Sequence, residues 1–198
     1  MLYLVRHGRT ASNAARLLLG RMDVPLDELG RRQAAALAEV PQLRGATRVI
    51  SSPLARAYDT ASAIGPPVTV DDRWIEIDYG RFDGLELSAA TQLWAAWDAD
   101  LEYRPEGGES LSDLGRRVRA ACADLWEEAS GSDVVVVSHV SPIKAAVAWA
   151  LGPLGAVYLV YAYFCRVGSP LLGSNRHRRG GAGDWIGPVR RTVHHAGG

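Results

Sequence analysis

Two hydrophobic runs, widely separated along the chain, are each followed by a histidine. The first run covers residues 2–5 and leads, after one arginine, to His7; the second covers residues 134–137 and leads, after one serine, to His139. Short continuous apolar runs are typical of buried strands in a parallel sheet. Because ligands of open α/β sheets bind beyond the carboxyl ends of the strands, we expect both imidazoles to lie in one crevice.

Strand-like and helix-like patterns alternate along the chain, which predicts a doubly wound α/β fold. We expect a three-layer sandwich, in which a mostly parallel central sheet is flanked by helices and a small lid insertion covers about residues 80–108. Residues 1–198 are expected to form a single domain, although the sequence signals weaken after residue 165. Further strands are predicted at 48–51, 68–70 and 157–164, and helices at 27–40, 53–64, 87–97, from 110 onward, and at 142–151.

Several of these helices have recognisable starts. Asp27 and Ser110 are predicted to cap the amino ends of the helices that follow them. Ser52 and Pro53 form a second type of start signal, a capping residue followed by proline in the first helical position. Ser141, which also precedes a proline, is expected to begin a helix whose positive end is directed toward the crevice.

Composition restricts the function classes. The chain has 198 residues, with 22 basic and 22 acidic side chains, so no net charge favours nucleic acid or a membrane surface as a partner. No segment has the length and apolarity of a membrane span, and no leader-like segment precedes the first strand, so we expect a cytoplasmic protein. Cys122 and Cys165 lack metal-binding spacing, and Cys122 is predicted to be buried. The oligomeric state is left open, a homodimer being one option.

The first strand ends in a group of residues suited to a phosphoryl ligand. The neutral imidazole of His7 is a competent nucleophile, and the guanidinium of Arg6 matches phosphate oxygens. Gly8 would let the backbone approach a ligand closely, and Thr10 and Asn13 could add neutral hydrogen bonds. The alternative is a strand-end histidine that only bonds to the backbone, which is the commoner role of an isolated Arg-His-Gly.

Two further residues complete this pattern. Arg56 lies in the first turn of the helix predicted at 53–64, where its charge adds to that of the helix end. An ordinary surface arginine is the alternative, just as His139 could be a core histidine at a strand end. The occurrence of all these residues at three strand ends favours a phosphoryl-binding site.

These motifs, taken in order, resemble those of the histidine phosphatase superfamily, also called the phosphoglycerate-mutase-like family. The family opens with a strand and Arg-His-Gly-x-Thr, which residues 6–10 match. The resemblance extends over roughly residues 2–152 and is highly specific as a set. The further matching segments are Asn13, 25–34, 51–61, 76–84, 107–110 and 137–139.

The resemblance assigns roles that the residues alone leave open. It implies that His7 accepts the phosphoryl group and becomes a phosphohistidine. It also implies that Arg6, Arg56 and His139 hold the phosphoryl oxygens with the help of Asn13. His139 would serve best when protonated, a state that an adjacent anionic phosphate favours.

Glu76 matches the general acid of the family. It would protonate the leaving alkoxide and then activate the water that hydrolyses the phosphohistidine. Asp78 is a nearby competitor for this role, and without the resemblance Glu76 could equally be a solvated loop carboxylate. No metal and no other cofactor is implied, because cationic side chains occupy the role that a divalent ion often has.

Three functions are compatible with these residues. The favoured one is a phosphomonoester hydrolase that acts on a small phosphorylated metabolite. A phosphoglycerate mutase would need a phosphohistidine protected from water and a lid longer than residues 80–108. A non-catalytic module that binds phospho-ligands is suggested by Val140, which replaces the glycine that usually follows the second histidine.

Other departures concern the mouth of the predicted site. Arg9 stands where the family often has glutamate, and Leu19 stands where a polar residue is common. We expect the first to add positive charge and the second to remove a hydrogen bond to substrate. Trp94, Trp97 and Tyr103 could either cover an apolar substrate or pack the lid.

Overall fold

The computed structural model describes residues 1–65 and 67–151. Its centre is a four-stranded sheet with the strand order β1-β4-β2-β3, in which every neighbouring pair is parallel. The expected parallel α/β sheet is therefore confirmed. The strand predicted at 157–164, Cys165 and the rest of the chain after it lie outside the described residues. The strands are β1 (Leu2–Arg6), β2 (Arg48–Ser51), β3 (Val68–Val70) and β4 (Val134–Ser138).

The four valines of β4 show why the sheet has helices on both faces. Successive side chains of a strand point to opposite faces, and every residue of β4 is buried. Val135 and Val137 pack with Ala57 and Ala61 on one face, whereas Val134 and Val136 pack into a second cluster that contains Val118. These two apolar layers enclose the sheet, which confirms the three-layer sandwich.

The helices occupy these layers and the connections between them. Those that cover the sheet are α4 on the first face and α6 and α7 on the second, and α2 packs beside α4. None of the helices among the described residues is long and apolar enough to cross a membrane. The helices are α1 (Ala11–Ala14), α2 (Glu28–Leu37), α3 (Pro41–Arg44), α4 (Ala55–Ile64), α5 (Thr91–Ala99), α6 (Leu111–Gly131) and α7 (Val140–Leu151).

Two of the predicted helix starts are confirmed. The Asp27 carboxylate accepts a hydrogen bond from Gly30 N at 2.7 Å at the start of α2. Ser110 Oγ accepts from Asp113 N at 3.1 Å at the start of α6, where the two residues form a capping box. Both helices therefore begin where local hydrogen bonding satisfies the free amides of the first turn.

The other two predicted starts are wrong. Helix α4 begins at Ala55 with Leu54 as its capping residue, because Ser52 is used elsewhere. Ser52 N donates to Val137 O at 3.0 Å, which prolongs the sheet pairing, and its hydroxyl contacts a histidine. Helix α7 begins at Val140, so Ser141 lies within its first turn instead of capping it.

The lid insertion consists of short helices packed on the core. It contains α5 and two 3-10 helices, Gly80–Phe82 and Leu87–Ala90. Trp97 is buried and its Nε1 donates to Tyr103 O at 3.0 Å, while Trp94 packs against the same apolar cluster. The structure thus supports the interpretation of these aromatic residues as lid packing. Cys122 is buried in the same cluster, as predicted.

Candidate active site

The two histidines follow neighbouring strands. β1 and β4 pair in a register that places Arg6 opposite Ser138, so His7 and His139 leave the sheet side by side. Their ring centroids lie 5.0 Å apart at an interplanar angle of 56°, and both side chains are buried. The expected convergence of the two imidazoles is therefore present.

The backbone around His7 fixes which ring nitrogen is free. His7 Nδ1 lies 2.7 Å from Gly8 O, and since a carbonyl only accepts, Nδ1 carries the proton and Nε2 the lone pair. Burial lowers the pKa of His7 to about 3, and the positive charges of Arg56 and Arg6 act in the same direction. The imidazole is therefore neutral near pH 7, which is the state that a nucleophile requires.

His139 is held by a serine that follows the neighbouring strand β2. Its Nε2 lies 2.7 Å from Ser52 Oγ, and burial holds the pKa of His139 well below its ordinary value, assisted by His7 and Arg56. His139 Nδ1 is buried and has no hydrogen-bond partner within residues 1–65 and 67–151. A buried polar atom without a partner is costly unless a ligand satisfies it, so this nitrogen is suited to contact a bound oxygen.

Arg56 brings a buried positive charge to the same place. It is the second residue of α4 and is completely buried, and it donates to Met22 O at 2.8 Å and to Gly20 O at 2.6 Å. Burial lowers the pKa of Arg56 to about 10, a shift that the nearby carboxylate of Glu76 opposes. The guanidinium therefore stays cationic at neutral pH, and its Nε has no hydrogen-bond partner in the described part of the chain.

Asp83 shapes the loop that holds Arg56. Its Oδ1 accepts from Gly20 N at 2.7 Å, and its Oδ2 accepts from Arg21 N at 2.9 Å and from Met22 N at 3.0 Å. Three amides bound to one carboxylate fix the loop whose carbonyls receive the guanidinium. The sequence motif contains Asp83, but its role becomes visible only when the loop and the lid are seen together.

Gly8 is required for packing. A Cβ at this position would lie 2.5 Å from Gly30 O, so the absence of a side chain lets the loop after β1 contact the start of α2. Gly8 N donates to Thr60 Oγ1 at 3.0 Å. The close approach that the sequence indicated is therefore made to the protein backbone, and a contact of Gly8 with phosphate stays a prediction.

Arg6, Thr10 and Asn13 lie close to His7 in the chain. Arg6 is the last residue of β1, and burial lowers its pKa while the charge of Glu76 raises it. Asn13 N donates to Thr10 Oγ1 and Thr10 N donates to Asn13 Oδ1, both at 3.2 Å, in a capping box for α1. The phosphate contacts predicted for these three residues stay predictions.

Glu76 is a buried carboxyl group at the edge of this site. It is 4% exposed, and its Oε1 accepts from Ile77 N at 2.8 Å and from Ser141 N at 3.2 Å. Burial raises the pKa of Glu76, although these two hydrogen bonds and the charge of Arg56 oppose the shift. A carboxyl group with a raised pKa can carry a proton closer to neutral pH, as a general acid must.

Asp78 lies in different surroundings. Its Oδ1 accepts from Gly80 N at 2.9 Å, and its Oδ2 lies 3.5 Å from Arg21 Nη1. The Asp78 carboxylate is half-buried, and its charge is paired with that of Arg21. The geometry therefore favours Glu76 over Asp78 as the proton donor.

The departures from the family motifs fit the fold. Val140 opens α7, and within the described residues Arg16 is the one residue other than glycine with a positive φ, so the valine is not strained. Arg9 Nε lies 2.7 Å from Asp27 Oδ2, so its charge is paired. Leu19, which stands where a polar residue is common in the family, is buried. The positive φ that would disfavour a valine is absent at Val140.

The comparison with known families agrees with this geometry. The family model of the histidine phosphatase superfamily (branch 1) matches residues 2–158. The match covers well over half of the chain, which therefore belongs to the histidine phosphatase superfamily.

Of three similar proteins, two are named after different activities. The bifunctional protein Rv2228c of Mycobacterium tuberculosis is 41% identical over 152 residues, 72% of this chain but 42% of that protein, so the chain spans less than half its length. The probable phosphoglycerate mutase GpmB of Yersinia pestis is 38% identical over 146 residues, 69% of this chain and 68% of that protein. The structure of mycobacterial glucosyl-3-phosphoglycerate phosphatase Rv2419c with VO3 matches with a TM-score of 0.66 at 37% identity, covering 76% of this chain and 81% of that one.

Proposed function

We propose that this protein is a phosphomonoester hydrolase that acts on a small phosphorylated metabolite through a phosphohistidine at His7. The observation that carries the proposal is the pairing of a neutral His7, whose Nε2 carries the lone pair, with a buried His139 whose Nδ1 lacks a partner in the described residues. A tetrahedral anion that lies against the edges of both rings would meet a nucleophile at one ring and a hydrogen-bond donor at the other.

The reaction has two steps. His7 Nε2 attacks the phosphorus atom, the ester P–O bond breaks, and the carboxyl proton of Glu76 passes to the leaving oxygen. In the second step Glu76, now a carboxylate, takes a proton from a water molecule whose oxygen attacks the phosphohistidine. The P–N bond breaks, phosphate leaves, and both side chains return to their initial states.

Charge stabilisation comes from the groups around His7. The buried guanidinium of Arg56 offers its Nε, and Arg6 adds a second positive charge at the end of β1. Binding of the anion raises the pKa of His139, so that the protonated ring donates from Nδ1 to a phosphoryl oxygen and from Nε2 to Ser52 Oγ. Thr10, Asn13 and Gly8 complete the predicted phosphate contacts. No metal is needed for these steps.

The relatives supply two candidate reactions for a first test. Hydrolysis is supported by the similarity to a glucosyl-3-phosphoglycerate phosphatase, and isomerisation is supported by the similarity to a probable phosphoglycerate mutase. Purified protein is incubated with glucosyl-3-phosphoglycerate, 3-phosphoglycerate and 4-nitrophenyl phosphate, and phosphate release is measured beside conversion of 3-phosphoglycerate to its 2-phospho isomer. We expect phosphate release without isomerisation, unchanged by a chelator. Isomerisation as the faster reaction would favour the mutase, and binding without turnover would favour a non-catalytic module.

The cellular setting is part of the same proposal. We propose a cytoplasmic enzyme without nucleic-acid or membrane partners, since the charges balance and the substrate is a small metabolite. A homodimer remains an option for its oligomeric state. Light scattering of the protein as it leaves a size-exclusion column tests the oligomeric state, and fractionation of cells tests the location.

A further inference from the structure

A largely buried ion pair lies beside the segment that carries Glu76. Glu109 precedes α6 and Arg117 lies in the second turn of this helix. Arg117 Nε donates to Glu109 Oε1 at 2.7 Å and its Nη2 donates to Oε2 at 3.0 Å, with side chains 17% and 11% exposed. Such a two-point pair has a fixed orientation, because the planar guanidinium matches the planar carboxylate.

The same guanidinium also holds the backbone that leads up to and includes the candidate acid. Arg117 Nη1 donates to Arg73 O at 2.6 Å, and Nη2 donates to Glu76 O at 3.3 Å. Glu109 holds the other side, since its backbone N donates to Asp78 O at 2.9 Å. The ion pair therefore contacts the chain both before and after the side chain of Glu76.

The contact of Arg117 with Glu76 O is linked to the Glu76 carboxyl group by a single peptide group. Glu76 O and Ile77 N belong to the same peptide group, which is planar. Arg117 binds the oxygen of this unit, and the carboxylate of Glu76 accepts from its N–H at 2.8 Å. A rotation of this peptide would break the hydrogen bond that orients the carboxyl group.

We propose that Glu109 and Arg117 are positioning residues for the general acid, holding the Glu76–Ile77 peptide so that the carboxyl group is aimed at the leaving oxygen. The inference rests on the proposed function. Neither residue touches the reacting atoms, and Arg117 contacts the backbone of the segment that carries Glu76. Glu109 Oε2 also lies 3.4 Å from Arg21 Nη2, in the loop that holds Arg56, so Arg117→Ala is the variant that tests the contact with Glu76 most selectively. A purely structural role in attaching α6 would instead affect folding and all substrates equally.

The kinetic test compares two substrates that differ in their need for an acid. Phenyl phosphate has a poor leaving group, whereas 4-nitrophenyl phosphate has a good one that needs little protonation. The quantity compared is kcat/KM, because it covers the steps up to the release of the leaving group and leaves out the common hydrolysis of the phosphohistidine. The variants are Arg117→Ala, Arg117→Lys and Glu109→Gln, with Arg119→Ala as the matched control on the exposed side of α6.

The expected result is selective. Arg117→Ala should lower kcat/KM for phenyl phosphate about 10- to 100-fold, as a misplaced catalytic group does, and that for 4-nitrophenyl phosphate less than about threefold. Arg117→Lys should recover part of the loss, Glu109→Gln should resemble Arg117→Ala, and Arg119→Ala should change neither. In a Glu76→Gln background Arg117→Ala should add no further selective loss. Equal losses on both substrates, or losses that multiply in the double variant, would overturn the inference.

A second measurement does not depend on turnover. Hydrogen exchange of the Ile77 and Ser141 amides, which donate to the Glu76 carboxylate, should become faster in Arg117→Ala and stay unchanged in Arg119→Ala. Unchanged exchange at both amides would overturn the positioning role even if the enzyme cleaved neither aryl phosphate. If His7→Ala retained the wild-type rate, the proposed function would fail instead, whatever Arg117 does.

Discussion

The strand-end site and the Glu109–Arg117 pair are both buried and charged, yet they differ in how their polar atoms are satisfied. In the strand-end site, defined by His7, Arg56 and His139, two of these side chains have nitrogen atoms without hydrogen-bond partners in the described part of the chain. In the Glu109–Arg117 pair, each of the three guanidinium nitrogens donates to an oxygen of the protein.

This difference separates binding from positioning. A cation whose three guanidinium nitrogens all donate to the protein holds its neighbours in place and has little left to offer a ligand. A buried group with an unused donor carries a free-energy cost that an oxygen of a bound anion can relieve. The contrast predicts that changes in the strand-end site affect chemistry on every substrate, whereas changes around the pair affect only the reactions that need the acid.

The largest effect is expected at the nucleophile. His7→Ala removes the atom that we propose bonds to phosphorus, so turnover of every phosphomonoester should fall by about 10⁴-fold or more. Phosphate release from 4-nitrophenyl phosphate measures it, with Arg119→Ala as the control. If His7→Ala kept a rate within tenfold of the wild type, the strand-end site would not be the site of chemistry, and its contrast with the Glu109–Arg117 pair would fail.

The next effect concerns the buried cation. Arg56→Met keeps much of the volume but removes the charge and the donors, so kcat/KM should fall about 10²- to 10³-fold on good and poor leaving groups alike. Steady-state kinetics on phenyl and 4-nitrophenyl phosphate check this. A loss confined to phenyl phosphate would assign Arg56 to the acid instead of the phosphoryl oxygens.

A smaller effect is expected from the loop that holds Arg56. Asp83→Ala removes the acceptor of three amides at residues 20–22, which should shift the carbonyls that orient the guanidinium. The inhibition constant of inorganic phosphate should rise about tenfold, and Asp83→Asn, which keeps one oxygen, should lie in between. The exposed Asp59→Ala is the control, and an unchanged inhibition constant in Asp83→Ala would contradict the role of the loop.

The last effect is on stability against pH and not on catalysis. The pKa of His7 is about 3 in the folded protein and lies near 6.5 when unfolded, so the unfolded chain binds more protons below pH 6.5. The stability that neutral His7 contributes is present above pH 6.5 and is lost as the pH falls toward 3, by up to about 1.4 kcal/mol per pH unit.

Urea denaturation between pH 7.5 and about 4.5 measures this contribution. His7→Gln cannot titrate, so its free energy of unfolding should fall less steeply with decreasing pH than that of the wild type. Parallel curves would show that His7 is not buried in the neutral form. Because other carboxylates titrate in the same range, the difference between the two proteins is the relevant quantity.

Local sequence signals predict much of the fold. The apolar runs at 2–5 and 134–137 predict strands that the structure contains, and Asp27 and Ser110 cap the helices that follow them. These features depend on neighbours in the chain, so their physical causes are visible in the sequence. Placing the two histidines at adjacent strand ends then requires that the two strands be parallel and neighbours in the sheet.

The wrong prediction at Ser52 and the contact of Arg117 that the sequence did not indicate have a common cause. Ser52 has the sequence context of a helix cap, but a contact with His139, 87 residues away, competes for its hydroxyl group. The contact of Arg117 with Glu76 O likewise joins residues 41 positions apart, and no local pattern indicates it. Tertiary contacts of this kind decide the fine geometry of the site, and they appear only once the elements are packed.

The most direct test of the account is to trap the covalent intermediate. Protein mixed with radiolabelled substrate is denatured in alkali within milliseconds, digested, and analysed for an acid-labile phosphorylated peptide. The account predicts label on the peptide that contains His7. The amount should approach one phosphoryl group per protein if hydrolysis of the phosphohistidine limits turnover. With 4-nitrophenyl phosphate as substrate, Glu76→Gln should carry more label than the wild type. Rapid turnover without any labelled His7, in the wild type and in Glu76→Gln alike, would contradict it.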